Sequence, residues 1–367
     1  MKKNINQGFH TPPKDYYKVY VRSSTYNQSP YIEDCLNGVA MQKTNFPFVH
    51  HVVDDCSTDG EQDVIKSWIE RECNLESAEF YDNDICTITL AKHKSNANYT
   101  IAAYFLKRNM YGNPKKRELF MPWREVCPYI ALCEGDDYWI DKKKLQDQVN
   151  ALDKTPNATM CHTSFRCVDQ NKNIMNRPLY ENYKERSKTG DCFTDLLIHG
   201  NYILTLTTLC RNVVFESDIY KKCPERFDYA IFLTAASLGD FVYLNKEYGC
   251  YRYVETGAMA TGWINGKAIK VKLYFLDLIR KGNLIKNICL FDRIYIYTYF
   301  LSMSISFNIN NRNRRSQEVC TYMSKNKILY WGIVFVPLIK ISKKIKKKRR
   351  LPDILDKCYD CQSSKLR

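Results

Sequence analysis

The chain has 367 residues, of which 45% are hydrophobic and 26% charged, and its formal net charge at pH 7 is +15. A chain of this length and composition can bury a core as one large domain or two modest ones, which excludes a disordered protein and a small disulfide-dependent scaffold. The sixteen cysteines are scattered through apolar runs and no signal peptide is evident, so we expect reduced thiols in a cytoplasmic protein.

The positive charge is concentrated near the end of the sequence. Lys340 to Arg350 has eight lysines and arginines in eleven residues and supplies over half of the excess. The remainder shows no zinc-finger spacing, no RNP-type strand motif and no strongly basic helix, so we expect no nucleic-acid partner. The alternative is nucleic-acid binding through the basic tail, which predicts a steep salt dependence.

Strands and helices alternate in the first part of the chain. After a polar leader, residues 1–15, which we expect to be flexible, Tyr17 to Arg22 and Phe48 to Val53 each predict a strand followed by an amphipathic helix. This alternation is typical of an α/β protein with a parallel sheet and right-handed crossovers. In such sheets, ligands bind beyond the carboxyl ends of the strands.

Polar residues follow the predicted strands at that edge. Thr25 and Tyr26 come after the first strand, and Asp54 and Asp55 come directly after the second one. Because the carboxyl ends of parallel strands meet at one edge, we expect these two loops to face the same crevice.

A third strand is predicted at Cys86 to Ala91. A polar loop with Lys94 and Asn98 follows it, and then a helix from about Tyr99 to Asn109. By position alone, this can be a solvated loop, and a functional role depends on what the whole chain resembles.

Three carboxylates follow a strand near the middle of the chain. Tyr129 to Cys133 is an apolar run with the length of a buried strand, and Glu134, Asp136 and Asp137 come next. Carboxylates this close repel one another, and their oxygens suit Mg²⁺ or Mn²⁺ better than zinc. We therefore predict a metal site, with an acidic surface turn as the alternative.

Asp228 begins a predicted helix, Tyr229 to Leu238, which precedes predicted strands at Phe241 to Leu244 and Tyr248 to Tyr253. By position alone, the simplest role for Asp228 is that of an N-cap, which contributes about 1 kcal/mol. A functional role depends on what the whole chain resembles.

Five motifs together resemble the bacterial family 2 glycosyltransferases. They are Val21 to Asn27, Val53 to Gly60, Glu134 to Trp139, Lys144-Leu145 with Gln148, and Asp228 with Tyr251-Arg252. The resemblance implies a GT-A fold, an α/β class with a Rossmann-like mixed sheet, over residues 16–262. A helical extension at 263–327 and an apolar and basic tail at 328–367 follow it.

The resemblance also assigns roles to individual residues. It implies that the nucleotide sugar is bound by Thr25, Tyr26, Asp54, Asp55, Lys94, Asn98, Glu134, Asp136 and Arg252. Asp136 and Asp137 are the implied ligands of Mg²⁺ or Mn²⁺, with Glu134 in the place of the first Asp of the DxD motif. Arg252 either reaches the diphosphate or braces the acceptor loop, and Asp228 is the implied general base.

The function implied by the resemblance is an inverting, metal-dependent transfer of a sugar from a nucleotide sugar, with a UDP-sugar favoured. The acceptor is a hydroxyl of a surface polysaccharide or of a lipid-linked glycan precursor. The alternative is a nucleotide- or glycan-binding module of the same fold that has lost catalysis.

Helices are predicted in the last part of the chain, at Ala268 to Ile279 and Leu284 to Phe307. Ile328 to Ile339 is apolar but too short for a confident membrane span, and the basic run follows it. Apolar residues beside lysines favour peripheral attachment to an anionic membrane at its cytoplasmic face. A solvated basic tail is the alternative.

Overall fold

A computed structural model describes residues 5–254, 265–284, 286–310, 318–319 and 322. The chain divides into two compact units, of which the first is Met1–Val271 with Leu284–Lys286 and the second is Lys272–Asn283 with Asn287–Arg367. The apolar and basic tail predicted from residue 328 lies outside the described residues.

Within the described residues, the strands are β1 Ile5–Gln7, β2 Val19–Thr25, β3 Phe48–Asp54, β4 Cys73–Asp82, β5 Cys86–His93, β6 Tyr99–Leu106, β7 Tyr129–Leu132, β8 Tyr138–Trp139, β9 Ala158–Val168, β10 Leu209–Arg211 and β11 Asp240–Arg252. The α-helices there are α1 Ile32–Ala40, α2 Glu61–Glu72, α3 Met121–Glu125, α4 Lys144–Asp153, α5 Pro178–Arg186, α6 Phe193–His199, α7 Val213–Glu216, α8 Asp218–Lys221, α9 Asp228–Leu238, α10 Asn265–Lys281 and α11 Leu290–Asn310. Short 3-10 helices span Pro114–Phe120 and Thr205–Thr207.

The strands form one mixed sheet in the order β1-β4-β5-β6-β3-β2-β7-β10-β9-β11-β8. In its centre, β6, β3, β2 and β7 run parallel to one another. On one side, β5 and β4 are antiparallel to their neighbours, and on the other side β10 is antiparallel to β7 and β9. The predicted α/β class with a mixed sheet is confirmed.

The predicted helix from Tyr99 to Asn109 is wrong, because Tyr99–Leu106 is the strand β6. All eight of its residues are buried, and a continuous apolar run of this length fits a buried strand as well as a buried helix. The correction reverses the direction of β5 relative to β3, because β5 is antiparallel to β6 and β6 is parallel to β3. The loop between them, which contains Lys94 and Asn98, therefore lies at the edge opposite to the carboxyl end of β3.

The helix α1 follows β2 and packs close to the acidic segment, which is Glu134 to Asp137, and to β8. Its side chains Ile32, Cys35 and Leu36 are fully buried. A Cβ added at Gly38 would lie 2.7 Å from the backbone nitrogen of Trp139, so only glycine allows this approach of α1 to β8. The Trp139 indole donates to Leu206 O at 3.0 Å. These contacts position the segment that precedes Trp139.

Two further observations concern the ends of the chain. Within the predicted leader, Ile5–Gln7 pairs in parallel with the end of β4, and Gly8 N donates to Asp82 O. Among the described helices, none is both long enough and apolar enough to cross a membrane.

Candidate active site

The ends of β2, β3 and β7 lie side by side, as predicted from their order in the sequence. Thr25 is paired with Asp54 in the sheet register, and Asp55 N donates to Thr25 O at 3.0 Å. On the other side of β2, Cys133 N donates to Arg22 O at 3.0 Å. The loops that follow these strands therefore share one rim of the sheet.

Gly135 fits closely against the first of these loops. A Cβ at this position would overlap the Thr25 hydroxyl and lie 2.5 Å from Gln28 Oε1. The Thr25 hydroxyl itself is 2.8 Å from Gln28 Oε1 and bonds to the Glu61 carboxylate. Any residue larger than glycine at 135 would displace the acidic segment from the loop after β2.

Glu61 connects the loops after β2 and β3, a role that the sequence did not reveal. Besides Thr25, it accepts from Gln28 N at 3.0 Å and from the Ser57 hydroxyl at 2.8 Å. Its side chain is buried, and burial raises its pKa. The only signal was its place at the start of the helix that follows Gly60, where an acidic residue is common.

Both predicted acids after β3 are buried on this rim. Asp54 Oδ1 accepts from Ser57 N and from Gln62 Nε2, whereas its Oδ2 is buried and has no partner among the described residues. Asp55 accepts from Met110 N at 2.6 Å and from Lys116 Nζ at 2.8 Å. Lys116 comes from the 3-10 helix Pro114–Phe120.

Tyr26 lies beside these acids with 46% of its surface exposed. The next residue, Asn27, has a left-handed backbone with φ of 54°. Its side-chain oxygen accepts from Thr58 N at 2.8 Å, and its own N–H donates to the Ser57 hydroxyl. The Tyr26 ring is thus exposed to solvent on a loop that is hydrogen-bonded to the loop after β3.

Glu134, Asp136 and Asp137 lie so close together that burial and mutual repulsion favour their protonated forms. Burial, and after it the charge of Glu134, raises the pKa of Asp136 to about 6. Burial and the charge of Asp136 raise the pKa of Asp137 well above its usual range. Burial also raises the pKa of Glu134, although Arg22 Nη2 lies 3.8 Å from its carboxylate.

Arg252 braces this acidic segment. Its backbone N–H donates to Asp137 Oδ1 at 2.9 Å, and its Nη2 donates to Asp34 of α1 at 2.8 Å. The guanidinium lies 4.5 Å from the ring centroid of Tyr31 and 5.2 Å from that of Tyr138. Only 2% of Arg252 is exposed, so its contacts fit the bracing role better than a free diphosphate ligand.

Asp228 is the first residue of α9, and the helix N-cap is Phe227. One carboxylate oxygen accepts from Tyr229 N at 2.7 Å and the other from Asn201 Nδ2 at 3.1 Å. Burial and then the charge of Glu134 raise the pKa of Asp228 to about 6. Asp228 therefore lies within electrostatic range of Glu134, although the two residues are far apart in the sequence.

Lys94 and Asn98 do not join the other predicted site residues. Asn98 O accepts from Phe48 N, at the start of β3, and its amide donates to Thr44 O. Lys94 Nζ donates to the carbonyls of Glu70 and Arg71 at the end of α2. The seven residues of β3 separate this edge from Asp54 by about 20 Å, so the structure does not bring Lys94 and Asn98 to the rim where Asp54 lies.

The donor set of the acidic segment fits a divalent cation such as Mg²⁺ or Mn²⁺. Among the described residues, no three His, Cys, Asp or Glu side chains converge closely enough to hold a metal by themselves. Mg²⁺, however, is often held by only one or two carboxylates, with substrate phosphates and water completing its coordination. Asp136 and Asp137, whose mutual repulsion a cation would relieve, meet that description.

Comparisons with known proteins agree with this geometry. The sequence model of the family described as Glycosyl transferase family 2 matches residues 21–104. Uncharacterized proteins of Mycobacterium tuberculosis and Mycobacterium bovis are each 28% identical over 232 residues, which is 63% of this chain and 57% of theirs. The match thus spans little more than half the length of these relatives.

A solved structure shares the fold. The crystal structure of S. aureus TarS 1-349 in complex with UDP-GlcNAc has a TM-score of 0.51 at 19% identity, covering 82% of this chain and 78% of that one. The match to the family and the shared fold confirm the resemblance inferred from the motifs. Residues 21–104 match the family 2 glycosyltransferases, and the chain has a GT-A fold.

Proposed function

We propose that the protein transfers a sugar, with inversion, from a nucleotide sugar to a hydroxyl of a surface polysaccharide or lipid-linked glycan precursor. The observation that carries this proposal is the group of acids at the ends of β2, β3 and β7, whose charge acts on Asp228 from a distant part of the chain. Burial and the charge of Glu134 raise the pKa of Asp228 to about 6. This supports a base that acts beside a site for a departing diphosphate.

On the donor side, the favoured ligand is a UDP-sugar. Tyr26 offers an exposed ring that can cover the face of a base. The buried Oδ2 of Asp54 and the carboxylate of Asp55 are acceptors that can receive the N3–H of uracil. TarS, which shares the fold, is in complex with UDP-GlcNAc, and this supports UDP-sugars as the first donors to test.

Asp136 and Asp137 are the residues that we assign to Mg²⁺ or Mn²⁺. When bound, the cation supplies Lewis-acid stabilisation of the charge on the departing diphosphate. The chain itself contributes the placement of these acids, through Gly135 on one side and the Asp137 bond to Arg252 N on the other.

On the transfer side, Asp228 removes the proton from the acceptor hydroxyl. A base is most effective when its pKa lies near the working pH. With a pKa of about 6, Asp228 is ionised at pH 7 and still more basic than an exposed aspartate. Attack from the face opposite the leaving group inverts the configuration of the sugar.

The acceptor and the cellular site belong to the same proposal. The apolar and basic sequence from Ile328 to Arg350 supports peripheral attachment at the inner face of the cell membrane, where lipid-linked acceptors are located. Deletion of residues 328–367 is expected to abolish binding to anionic vesicles and leave binding to neutral vesicles unchanged. Equal binding to both before deletion would contradict the attachment.

The central test is a donor-panel assay of the purified protein with and without Mn²⁺. We expect release of nucleoside diphosphate with one donor class, strictly dependent on the cation. Asp137→Asn and Asp228→Asn are expected to lower the rate by about 10²–10³-fold or more, while Asp218→Asn, at an exposed helix start, keeps it. Nucleotide binding without turnover across the panel would favour the inactive module, and full activity of both site variants would refute the assigned residues.

A further inference from the structure

The carboxylate of Asp228 is held by a residue that neither the motifs nor the comparisons single out. We propose that Asn201 is a positioning residue that keeps the Asp228 carboxylate ionised and oriented for proton removal. The proposal rests on the assignment of Asp228 as the base, but it makes a claim about Asn201 that can be tested separately.

The orientation of the Asn201 amide follows from its two hydrogen bonds. Its Oδ1 accepts from Ile203 N at 3.0 Å, so this end of the amide must be the oxygen. The opposite end is therefore the NH₂ group, which donates to Asp228 Oδ2 at 3.1 Å. A turn within its own loop thus aims the amide donor at the carboxylate.

The loop that carries Asn201 is held to the helix that carries Asp228. Gly200, with φ of 87°, ends α6 and turns the chain toward Asn201. The Tyr229 hydroxyl donates to Leu196 O of α6 at 2.8 Å. Because Tyr229 is the neighbour of Asp228, this bond fixes the distance between Asn201 and the carboxylate.

The two donors on Asp228 oppose the influences that favour its protonated form. Burial and the charge of Glu134 raise the pKa of Asp228, whereas hydrogen bonds donated to the ionised form lower it. Tyr229 N donates to one oxygen and Asn201 to the other. Since the first donor is a backbone group, Asn201 is the side chain through which the sequence can adjust this base.

Other charged groups on the surrounding helices have their own partners. Arg226, two residues before Asp228, is exposed. The charged residues of the neighbouring helices are placed elsewhere: Asp195 of α6 bonds to Arg186 and has His199 at 3.8 Å, Glu216 of α7 bonds to Asn212, Asp218 of α8 bonds to Lys222, and Lys221 of α8 is exposed. Burial, Tyr229 N and Glu134 act on the pKa of Asp228, and the Asn201 amide adds a hydrogen bond to its second oxygen.

Substitution by aspartate separates the positioning role from a structural one. Asn201→Asp keeps an oxygen for Ile203 N, so the turn is preserved, but it replaces the donor to Asp228 with a like charge. Asn201→Ala removes both bonds. Asn74→Asp is the matched control, because exposed Asn74 makes the same turn, with Glu76 N at 3.0 Å.

The pKa of Asp228 is measured in the full chain by carbon-13 NMR of its carboxyl group, assigned by comparison with Asp228→Asn. We expect Asn201→Asp to raise it by about one unit and Asn201→Ala by a smaller amount, while Asn74→Asp leaves it unchanged. In the transfer assay, the acid limb of kcat/KM should move to higher pH in the same order. For Asn201→Asp, this means about a fivefold loss near pH 6, approaching tenfold below pH 5, that is recovered by pH 9.

An unchanged Asp228 pKa in both Asn201 variants would overturn the proposal, as would a loss of activity that is equal at all pH values. If Asn201→Asp fails to fold, Asn201→Ala provides the comparison, because it also leaves Asp228 Oδ2 without its donor. The two proposals fail differently. Full activity of Asp228→Asn removes the base assignment, whereas an inactive Asp228→Asn beside unshifted Asn201 variants removes only the role of Asn201.

Discussion

The two sides of the active site treat their buried acids in opposite ways. On the donor side, both oxygens of Asp55 are bonded, one to Met110 N and the other to Lys116 Nζ. In the acidic segment, burial and the charges of neighbouring carboxylates raise the pKa of Asp136 and Asp137. Asp55 is therefore fully bonded in the folded chain, whereas Asp136 and Asp137 favour added positive charge or protons.

This difference indicates what each side requires of its ligand. A nucleoside that uses Asp55 has to share or replace the bond from Lys116, so donor binding exchanges one partner for another. A cation at Asp136 and Asp137 instead relieves repulsion that is already present. For the same number of contacts formed, metal binding should therefore raise the free energy of unfolding more than nucleoside binding does.

The largest effect on folding is expected from Lys116→Met. Only 2% of the Asp55 side chain and 18% of the Lys116 side chain are exposed, so the variant leaves a buried carboxylate without its cation. We expect a loss of about 2 kcal/mol in the free energy of unfolding, measured by urea denaturation at pH 7. The affinity for UDP, measured by calorimetry, should change as well.

Lys115→Met is the control for this variant, because Lys115 is the exposed neighbour on the same 3-10 segment. It should unfold like the wild type. Equal stability of the two variants would mean that Asp55 does not depend on Lys116, and the contrast between the two sides would disappear.

A smaller change in the free energy of unfolding, of opposite sign, is expected from Asp136→Asn in the acidic segment. The folded pKa of about 6 lies above the ordinary value of 3.8, so the folded chain binds this proton more tightly than the unfolded chain does. The contribution of this carboxyl to stability is therefore greatest below about pH 4 and declines as the pH rises to about 6. Above pH 6, the variant should be more stable than the wild type by about 1–2 kcal/mol, allowing for partial exposure.

The measurement is urea denaturation of Asp136→Asn and wild type at pH 4 and pH 7, without divalent cation and with Mg²⁺. The difference should be small at pH 4, and Mg²⁺ should stabilise only the wild type. A variant that is less stable than wild type at pH 7 without cation would show that Asp136 is already neutralised within the fold.

The same contrast separates what the sequence could predict from what it could not. The positions of Thr25, Asp54 and Glu134 on one rim followed from strand order, because parallel strands end at the same edge. Lys116 and Asn201 could not be found in this way. Each bonds to an acid far away in sequence, and neither lies in a recognisable motif or at a strand end.

The main error in fold prediction arose from a single apolar run. Tyr99–Leu106 is buried on both faces, and its composition does not distinguish a central strand from a buried helix. The antiparallel pair of β5 and β6 was missed as a result, whereas β4 was missed because its residues are mostly polar and only one is buried. Two residues were consequently placed at the wrong edge of the sheet.

The smallest effect is expected from Lys94→Ala, which tests that correction. Lys94 Nζ donates to the carbonyls of Glu70 and Arg71, where a basic side chain stabilises the end of a helix by about 0.3–1 kcal/mol. A loss of this size in the free energy of unfolding is expected, with no change in the calorimetric affinity for UDP. Lys116→Met, at the opposite edge, serves as the positive control for affinity. The exposed control is Lys66→Ala, on the helix α2 whose end Lys94 contacts. If Lys94→Ala weakens UDP binding by more than about threefold and Lys66→Ala does not, the nucleotide binds at the edge where β3 begins. That result would contradict the site described above.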